Sequence, residues 1–371
     1  MSKPKVFEKP VGVKDYLPHA VSKLRTIERN VLDCMGRWGY RQILTPTIEY
    51  YDTVGVASAT SDHKLFKLLN NRGTALVLRS DMTAPIARVV SSLLKDEAFP
   101  IRLSYHSNVF RTIEEEAGRE AEFFQTGVEL VGDATAEADA EVVALAIASL
   151  QAAGVAQFKF AMGHVGFLNG LFEEVLHGRS EDQETLKFCL LSRDYVGYRE
   201  RIREWGLDAA EQQKLEGILR LRGGKEICEQ ALQLSGDEQT RASIEHLLEV
   251  WESLEDYGVS QHVLLDLTMI GDFSYYTGMT FEGYALELGS PVCSGGRYDN
   301  LLQQFGRPAP ATGFALKTTR ILDVVGDEDQ EQIAVMTLNY TSQNRAQIFQ
   351  EARALREAGN CVVTRYVEED V

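Results

Sequence analysis

The most informative stretch of the sequence is LSYHSNVFRTIEEEAGREAEFFQTGVELVG, which runs from Leu103 to Gly132. An apolar, strand-like run around Asn108–Arg111 is followed by an acidic loop, Thr112–Arg119, and a second strand-like run, Ala121–Val131. Side chains alternate along a strand, so one face of the second run carries Phe123, Gln125, Gly127 and Glu129. Unpaired buried amides and carboxylates are costly, and this face therefore suits a pocket for a small, polar, cationic ligand. Periodicity alone equally permits a surface hairpin with one solvated face.

Length, charge and cysteine content limit the function classes. The 371 residues suffice for two or three domains, and no apolar run approaches the roughly 20 residues that cross a bilayer. The N-terminus lacks the apolar core of an export signal. The net charge of −17 weighs against a nucleic-acid ligand, because nucleic-acid binders usually present a basic face. Five scattered cysteines without a CxxC pair indicate a reducing cytoplasm and no zinc site or disulfide framework: Cys34, Cys189, Cys228, Cys293 and Cys361.

The spacing within the opening stretch resembles motif 2 of class II aminoacyl-tRNA synthetases in its histidyl form. The matching residues are Phe110-Arg111, Gly118-Arg119 and the FxQxGxE set from Phe123 to Glu129. Further segments resemble the same family in the same order. A long helix before Gly39-Tyr40, followed by a strand and Pro46, resembles motif 1, which builds the family's dimer interface. Tyr275-Tyr276 before TGxxFE resembles the family's histidine-binding motif. The segment GGRYDNL from Gly295 to Leu301 matches a family turn, and Arg320 stands in the position of motif 3.

The resemblance implies an α+β fold with a class II synthetase-like core, in which helices flank an antiparallel sheet. Residues 1–165 and 262–325 are expected to form this core, and residues 166–261 a helical insertion. Residues 331–371 are expected to form a truncated C-terminal α/β unit, with the pattern strand Ile333–Leu338, helix Ala346–Ala358 and strand Cys361–Tyr366.

The resemblance also implies a histidine pocket, formed by Asp81, Thr83, Arg111, Gln125, Glu129, Tyr275 and Tyr276. Simpler interpretations stand beside it. Asp81 or Thr83 could cap the helix that follows them, and the two tyrosines could pack in the core of a strand. Arg111 and Arg320 could bind a phosphate-bearing ligand or brace the sheet through ion pairs.

Several positions depart from the active synthetases, and no catalytic residue is predicted. An arginine that contacts the reacting groups is replaced by Gly271, and a later loop arginine by Ala121. The loop pair Glu-Arg is replaced by Ile113 and Glu114, and the glycine and glutamate of motif 3 by Lys317 and Thr319. Adenylate formation places negative charge on a phosphoryl centre, and losing one donor there typically lowers the rate by ~10²–10³. The acidic run Glu114–Glu116 would further repel ATP.

A synthetase-like core with a histidine pocket, an incomplete adenylation site and a short C-terminal unit resembles the ATP phosphoribosyltransferase regulatory subunits, paralogues of histidyl-tRNA synthetase. The resemblance implies a non-catalytic cytoplasmic protein. It implies that the chain forms a homodimer within a hetero-octamer. It also implies that the chain activates a short-form catalytic subunit and relays feedback inhibition by free histidine in the first step of histidine biosynthesis. It implies no cofactor, metal, nucleic acid or membrane partner. Alternatives are an active histidyl-tRNA synthetase, another class II-like histidine-binding protein, and a structural dimer with a vestigial pocket.

Overall fold

The computed structural model describes residues 7–112, 120–270, 275–326 and 334–368. The chain divides into two compact units, Met1–Val325 and Gly326–Val371. The first half of the larger unit contains α1 (Pro18–Arg37), β1 (Arg41–Gln42), β2 (Ile48–Tyr50), β3 (Lys67–Leu69), β4 (Ala75–Leu78), α2 (Thr83–Ser92), β5 (Ile101–Phe110), β6 (Glu122–Val131), α3 (Ala136–Ala152) and β7 (Phe158–His164).

A mainly helical part follows, and the chain then returns to strands. Its elements are α4 (Val165–Val175), α5 (Ser180–Leu191), α6 (Tyr195–Glu204), α7 (Ala209–Gly217), β8 (Arg222–Gly223), α8 (Glu226–Leu234) and α9 (Glu238–Asp256). The returning elements are β9 (Val263–Asp266), β10 (Met279–Ala285), β11 (Cys293–Arg297), β12 (Ala311–Lys317) and α10 (Thr318–Val324).

A nine-stranded sheet of order β1-β5-β6-β12-β11-β10-β7-β9-β8 forms the centre of this unit. Six neighbouring strands in this order pair antiparallel, as expected for the class II core: β5, β6, β12, β11, β10 and β7. The sheet as a whole is mixed, because β1 pairs with β5 and β7 with β9 in parallel. Parallel neighbours need a long crossover, and both pairs have one: α2 and the small strands lie between β1 and β5, and α4 to α9 between β7 and β9.

The two faces of the sheet pack against different apolar clusters. On β6, Val128 and Leu130 belong to the cluster that contains residues of α1, α3 and α9. The alternate residue Val131 belongs to a second cluster, with Tyr105, Met82 of the turn before α2, and Tyr298. The period-two alternation of the sequence thus assigns Glu129, which lies between Val128 and Leu130, to the face of the second cluster.

Helix ends follow local chemistry. Pro18 lies in the first turn of α1, where a backbone N–H has no partner within the helix, so the N–H that proline lacks is not needed. The helix ends at Arg37, and Gly39, with φ +84°, turns the chain into β1. Thr135 caps α3 by accepting a hydrogen bond from the Ala138 N–H at 3.2 Å.

The smaller unit contains β13 (Val335–Tyr340), α11 (Arg345–Glu357) and β14 (Cys361–Tyr366), with the two strands parallel. The side chain of Tyr340 contacts Phe349 of α11 and Tyr366 of β14, at ring-centroid distances of 4.9 and 5.7 Å. Strand, helix and strand occur in the predicted order, although Ile333, where the first strand was predicted to begin, lies outside the described residues.

Candidate functional site

A narrow cavity opens on the sheet beside the second apolar cluster. Its lining includes Asp81, Thr83, Arg111, Gln125, Glu129, Tyr275 and Tyr276. These are the seven residues that the sequence predicted for one pocket, and they come from four separate segments of the chain. The cavity volume is only about 20 Å³, little more than a single water requires.

Glu129 is the central polar group of this cavity. Its side chain is 2% exposed. Oε1 accepts a hydrogen bond from Thr83 Oγ1 at 2.8 Å, and Oε2 accepts one from the Tyr298 hydroxyl. Burial raises the pKa of Glu129 to about 8, although the hydrogen bonds from Tyr298 and Thr83 oppose that rise. The site therefore contains a carboxyl group that is largely protonated at neutral pH.

Two glycines leave space for close contacts around the cavity, and one of these contacts is with Glu129 itself. Gly313 on β12 is the cross-strand neighbour of Glu129, and a Cβ atom there would overlap Glu129 Oε2. A Cβ atom at Gly127 would overlap the carbonyl oxygen of Phe314 and lie 2.6 Å from the Tyr105 hydroxyl. Both positions exclude any side chain because neighbouring strands approach closely.

Asp81 and Thr83 differ in their roles. Asp81 Oδ1 accepts a hydrogen bond from the Ala84 N–H at 3.0 Å, so this residue does cap the start of α2. Its Oδ2 accepts a hydrogen bond from Ser58, and the carboxylate also lines the cavity. Thr83 does not cap α2, because its hydroxyl donates to Glu129 instead.

Four tyrosines surround Glu129: Tyr105, Tyr275, Tyr276 and Tyr298. The ring of Tyr275 packs edge-on against Tyr276 and Tyr298, at centroid distances of 5.3 and 5.5 Å. Burial raises the pKa of every one of these phenols, so they remain neutral hydrogen-bonding groups. Tyr275 and Tyr276 precede β10, and the interpretation of them as strand residues is wrong.

Tyr298 is a site residue that the sequence interpretation missed. It lies in the GGRYDNL segment, just after β11, and its ring is 3% exposed. Its main-chain N–H donates to Ala311 O at 2.8 Å, which fixes the hydroxyl beside Glu129. The sequence did contain a signal for Tyr298, because the GGRYDNL segment matches the family pattern, but no ligand role was assigned to that segment.

A wider cleft of about 900 Å³ adjoins the cavity, and Arg111 lines both. Arg111 Nε donates to Ser80 O at 2.9 Å, and Arg320 Nη1 donates to Pro291 O at 2.8 Å. Both arginines thus bind main-chain carbonyls while lining the cleft. The cleft is rich in basic side chains: Lys14, Lys64, Arg111, Arg193, Arg222, Lys317 and Arg320, against Glu120, Asp266, Glu282 and Asp323.

Two of the departures from the synthetase pattern occupy packed positions. Ala121 is 2% exposed, and its N–H donates to Gly12 O at 2.7 Å. Thr319 is 2% exposed, and its hydroxyl accepts from the Phe124 N–H at 2.9 Å. Gly271, Ile113, Glu114 and the Gly118-Arg119 pair lie outside the described residues.

Known proteins that resemble this chain share both its sequence pattern and its length. The family model described as Histidyl-tRNA synthetase matches residues 12–321. ATP phosphoribosyltransferase regulatory subunits of Geobacillus kaustophilus (strain HTA426) and Bacillus subtilis (strain 168) are 44% and 45% identical to it. The alignments cover 98% and 96% of this chain and 91% of each relative. The chain belongs to the ATP phosphoribosyltransferase regulatory subunit family.

Solved structures agree with this family assignment. A crystal structure described as an ATP phosphoribosyltransferase regulatory subunit/histidyl-tRNA synthetase from Bacillus halodurans C is 43% identical, with a TM-score of 0.92. It covers all of this chain, and this chain covers 96% of it. The histidyl-tRNA synthetase of Nostoc sp. PCC 7120, at 20% identity and a TM-score of 0.81 over 99% of this chain and 88% of that one, shows the shared fold. The predicted class II synthetase-like fold is therefore confirmed.

Two further properties concern the described residues of this family member. No helix among them combines the length and apolar composition needed to span a membrane. Within the same ranges, no three His, Cys, Asp or Glu side chains are arranged to bind a metal ion.

Proposed function

We propose that this chain is the non-catalytic regulatory subunit of ATP phosphoribosyltransferase, acts in the cytoplasm, and relays feedback inhibition by histidine to a short-form catalytic subunit. The family assignment supports the regulatory role. The observation that carries the histidine proposal is the buried Glu129 carboxyl at the centre of a cavity lined by all seven predicted residues.

The chemistry of the cavity suits an imidazole ring. A neutral imidazole has one N–H donor and one nitrogen acceptor, so it pairs with Glu129 in either protonation state. Tyr275 or Tyr276 supplies the second ring contact. Asp81, Thr83 and Gln125 face the ammonium group of the amino acid, and Arg111, at the boundary with the wide cleft, faces its carboxylate.

An exposed apolar sheet face supports the proposed homodimer within a hetero-octamer. In the small sheet of order β2-β4-β3, Tyr50 pairs with Leu76, which pairs with Leu68. Tyr50, Leu68 and the nearby Ile48 are 58%, 41% and 50% exposed. The solvated face of an antiparallel sheet is normally polar, so an apolar one suits contact with a second copy.

The purified chain is expected to make no histidyl-adenylate, because the sequence lacks cationic groups that the active synthetases place at the phosphoryl centre. ATP–pyrophosphate exchange with histidine should stay at background. An authentic histidyl-tRNA synthetase assayed in parallel serves as the positive control. Exchange at a rate typical of synthetases, and lost on changing Arg111, would show that the chain is a synthetase.

Mixing this chain with a short-form catalytic subunit is expected to produce ATP phosphoribosyltransferase activity that histidine inhibits. Leaving the buried imidazole without its hydrogen-bond partner costs about 1–3 kcal/mol, so Glu129→Ala should weaken histidine binding roughly 5–150-fold. Calorimetry measures that binding, and the inhibition constant of the mixture should shift with it. Tyr276→Phe should blunt inhibition similarly, while both variants still assemble.

The control for this experiment is Lys95→Ala, outside the cavity on the turn after α2. It should retain both assembly and inhibition. Pocket variants that assemble and remain fully sensitive to histidine would place the regulatory site elsewhere. Equal, weak binding of histidine and alanine would mean that the pocket is vestigial.

A further inference from the structure

Tyr275 and Tyr276 lie between the narrow cavity and a second space, called here the side pocket. Both tyrosines line both spaces. The side pocket has a volume of about 350 Å³, and its lining residues come from the segments 56–59, 275–277 and 300–304. A cavity of ~150 Å³ can hold a benzene ring, so the side pocket has room for a displaced aromatic side chain.

The side pocket is poorly suited to bind an amino acid itself. Every described side chain that lines it is uncharged. An amino acid brings an ammonium and a carboxylate group, and moving such charges out of water is costly unless they are paired. The carboxyl groups able to pair with histidine lie instead in the narrow cavity, where Asp81 and Glu129 are buried.

Most walls of the narrow cavity are held in place. Gln125 and Glu129 belong to β6, which pairs with β5 on one side and with β12 on the other. Asp81 caps the start of α2 through Oδ1. Tyr298 is held at both ends, because its main-chain N–H donates to Ala311 O and its hydroxyl donates to Glu129. Protein interiors are close-packed, so a wall can move only where there is space behind it.

The tyrosine pair has space behind it and a fixed main chain after it. It precedes β10 and borders the side pocket. Directly after the pair, the Thr277 N–H donates to Arg297 O at 2.8 Å, and Gly278 O accepts from the Val165 N–H at 3.0 Å. The two rings can therefore turn about their side-chain bonds while β10 keeps its place in the sheet.

We propose that histidine enters the narrow cavity by displacing the rings of Tyr275 and Tyr276 into the side pocket, and that the size of this pocket therefore sets the histidine affinity. This inference rests on the proposed function and adds the movement that opens the site. The rings close the cavity in the ligand-free chain, and the side pocket receives them when histidine is bound. The apparent dissociation constant then depends on the fraction of molecules that can hold the rings in the displaced position.

The first test fills the side pocket with a larger side chain. Ala59 is half-buried, Gln304 is exposed, and both line the pocket, so Ala59→Trp and Gln304→Trp should leave the fold intact while occupying the space. Each should raise the calorimetric Kd for histidine at least about 10-fold, the result expected when the open fraction falls to a tenth. Gln303→Trp, at the neighbouring exposed glutamine that does not line the pocket, is the matched control and should bind histidine normally. Urea unfolding checks that all three variants are folded.

The second test detects the displaced rings directly. Cys361 is exposed and the other four cysteines are buried, so Ala59→Cys in a Cys361→Ser background places one accessible thiol in the side pocket. Saturating histidine should slow its reaction with a soluble maleimide at least about 10-fold, because the rings then fill the pocket. Gln303→Cys in the same background should react at one rate with and without histidine. Adding Glu129→Ala should raise the histidine concentration that gives half-protection roughly 5–150-fold, by the same factor as the Kd.

Either normal histidine binding in both filled variants or maleimide labelling that histidine leaves unchanged would show that the rings do not enter the side pocket. The proposed function would then be untouched. Protection that persists in full after Glu129→Ala would mean that histidine itself occupies the side pocket, which would overturn this inference. If the unaltered chain binds no histidine, the histidine part of the proposed function fails, and this inference fails with it.

Discussion

Replacing Glu129 by glutamine is expected to stabilise the protein at pH 8 while weakening histidine binding. Burial raises the pKa of Glu129 to about 8, well above its ordinary value of 4.5. The folded state therefore binds a proton that the unfolded state has lost, and the free energy of unfolding falls as pH rises from 4.5 to 8. By the linkage relation the decrease is on the order of 4–5 kcal/mol. Glutamine has no such charge to bury, so Glu129→Gln should remove most of this decrease.

Urea unfolding at pH 5 and pH 8.5 measures the effect. Buried histidines such as His164, whose pKa burial lowers to about 3, change the stability of both proteins alike between these pH values. The unaltered chain should therefore lose several kcal/mol of stability relative to the variant between pH 5 and pH 8.5. Asp139→Asn is the opposing control. Asp139 is also fully buried, but His246 and Arg297 donate to Oδ2 at 2.8 and 2.9 Å and keep its pKa low despite burial. Its loss should destabilise the protein at pH 7. A parallel response of the two variants would contradict the role assigned to Glu129.

Gly127→Ala is expected to disrupt the pairing of β6 with β12 and to remove histidine binding. The added methyl group would meet the main-chain carbonyl of Phe314, which cannot rotate away, as well as the Tyr105 hydroxyl. Overpacking typically destabilises by about 1–3 kcal/mol, and a clash with the backbone of a central strand should reach or exceed the upper value. Thermal and urea unfolding, with calorimetry on the folded fraction, measure both effects.

Gly36→Ala is the matched control for this substitution. Gly36 lies within α1, and a Cβ atom there would have no neighbour within 4 Å. Alanine should stabilise this helical position by roughly 0.5–1 kcal/mol. The two glycine substitutions should therefore change stability in opposite directions. An unchanged stability in Gly127→Ala would mean that β6 and β12 can separate without loss.

Local sequence patterns predicted the helices and strands more accurately than they predicted which strands pair with one another. The strand after Gly39 was expected to run towards Pro46, but β1 covers only Arg41–Gln42. The two parallel pairs of the large sheet, β1 with β5 and β7 with β9, were not predicted, because each joins strands separated by a long crossover. Such pairing depends on tertiary packing, which a local periodicity does not contain.

In the candidate site, too, the local pattern predicted residues of one strand but not the contacts between distant segments. Gln125 and Glu129 were assigned to one strand face from their spacing alone, and both line the cavity. Tyr298 was missed because its partner Glu129 lies 169 residues away along the chain. The contact of Ser58 with Asp81 likewise joins separate segments, and no spacing rule connects their side chains.

The narrowness of the cavity affects how a regulator built on it would respond. A space of about 20 Å³ is too small for an amino acid, so the groups that line it must move apart before histidine enters. The free energy needed to open the cavity reduces the net free energy of histidine binding. The apparent dissociation constant is the intrinsic one divided by the fraction of molecules whose cavity is open. Any partner that favours the open form would tighten histidine binding, and by reciprocity histidine would favour that partner-bound form. Sensitivity to histidine in the assembled enzyme is then adjustable by residues that never touch the ligand.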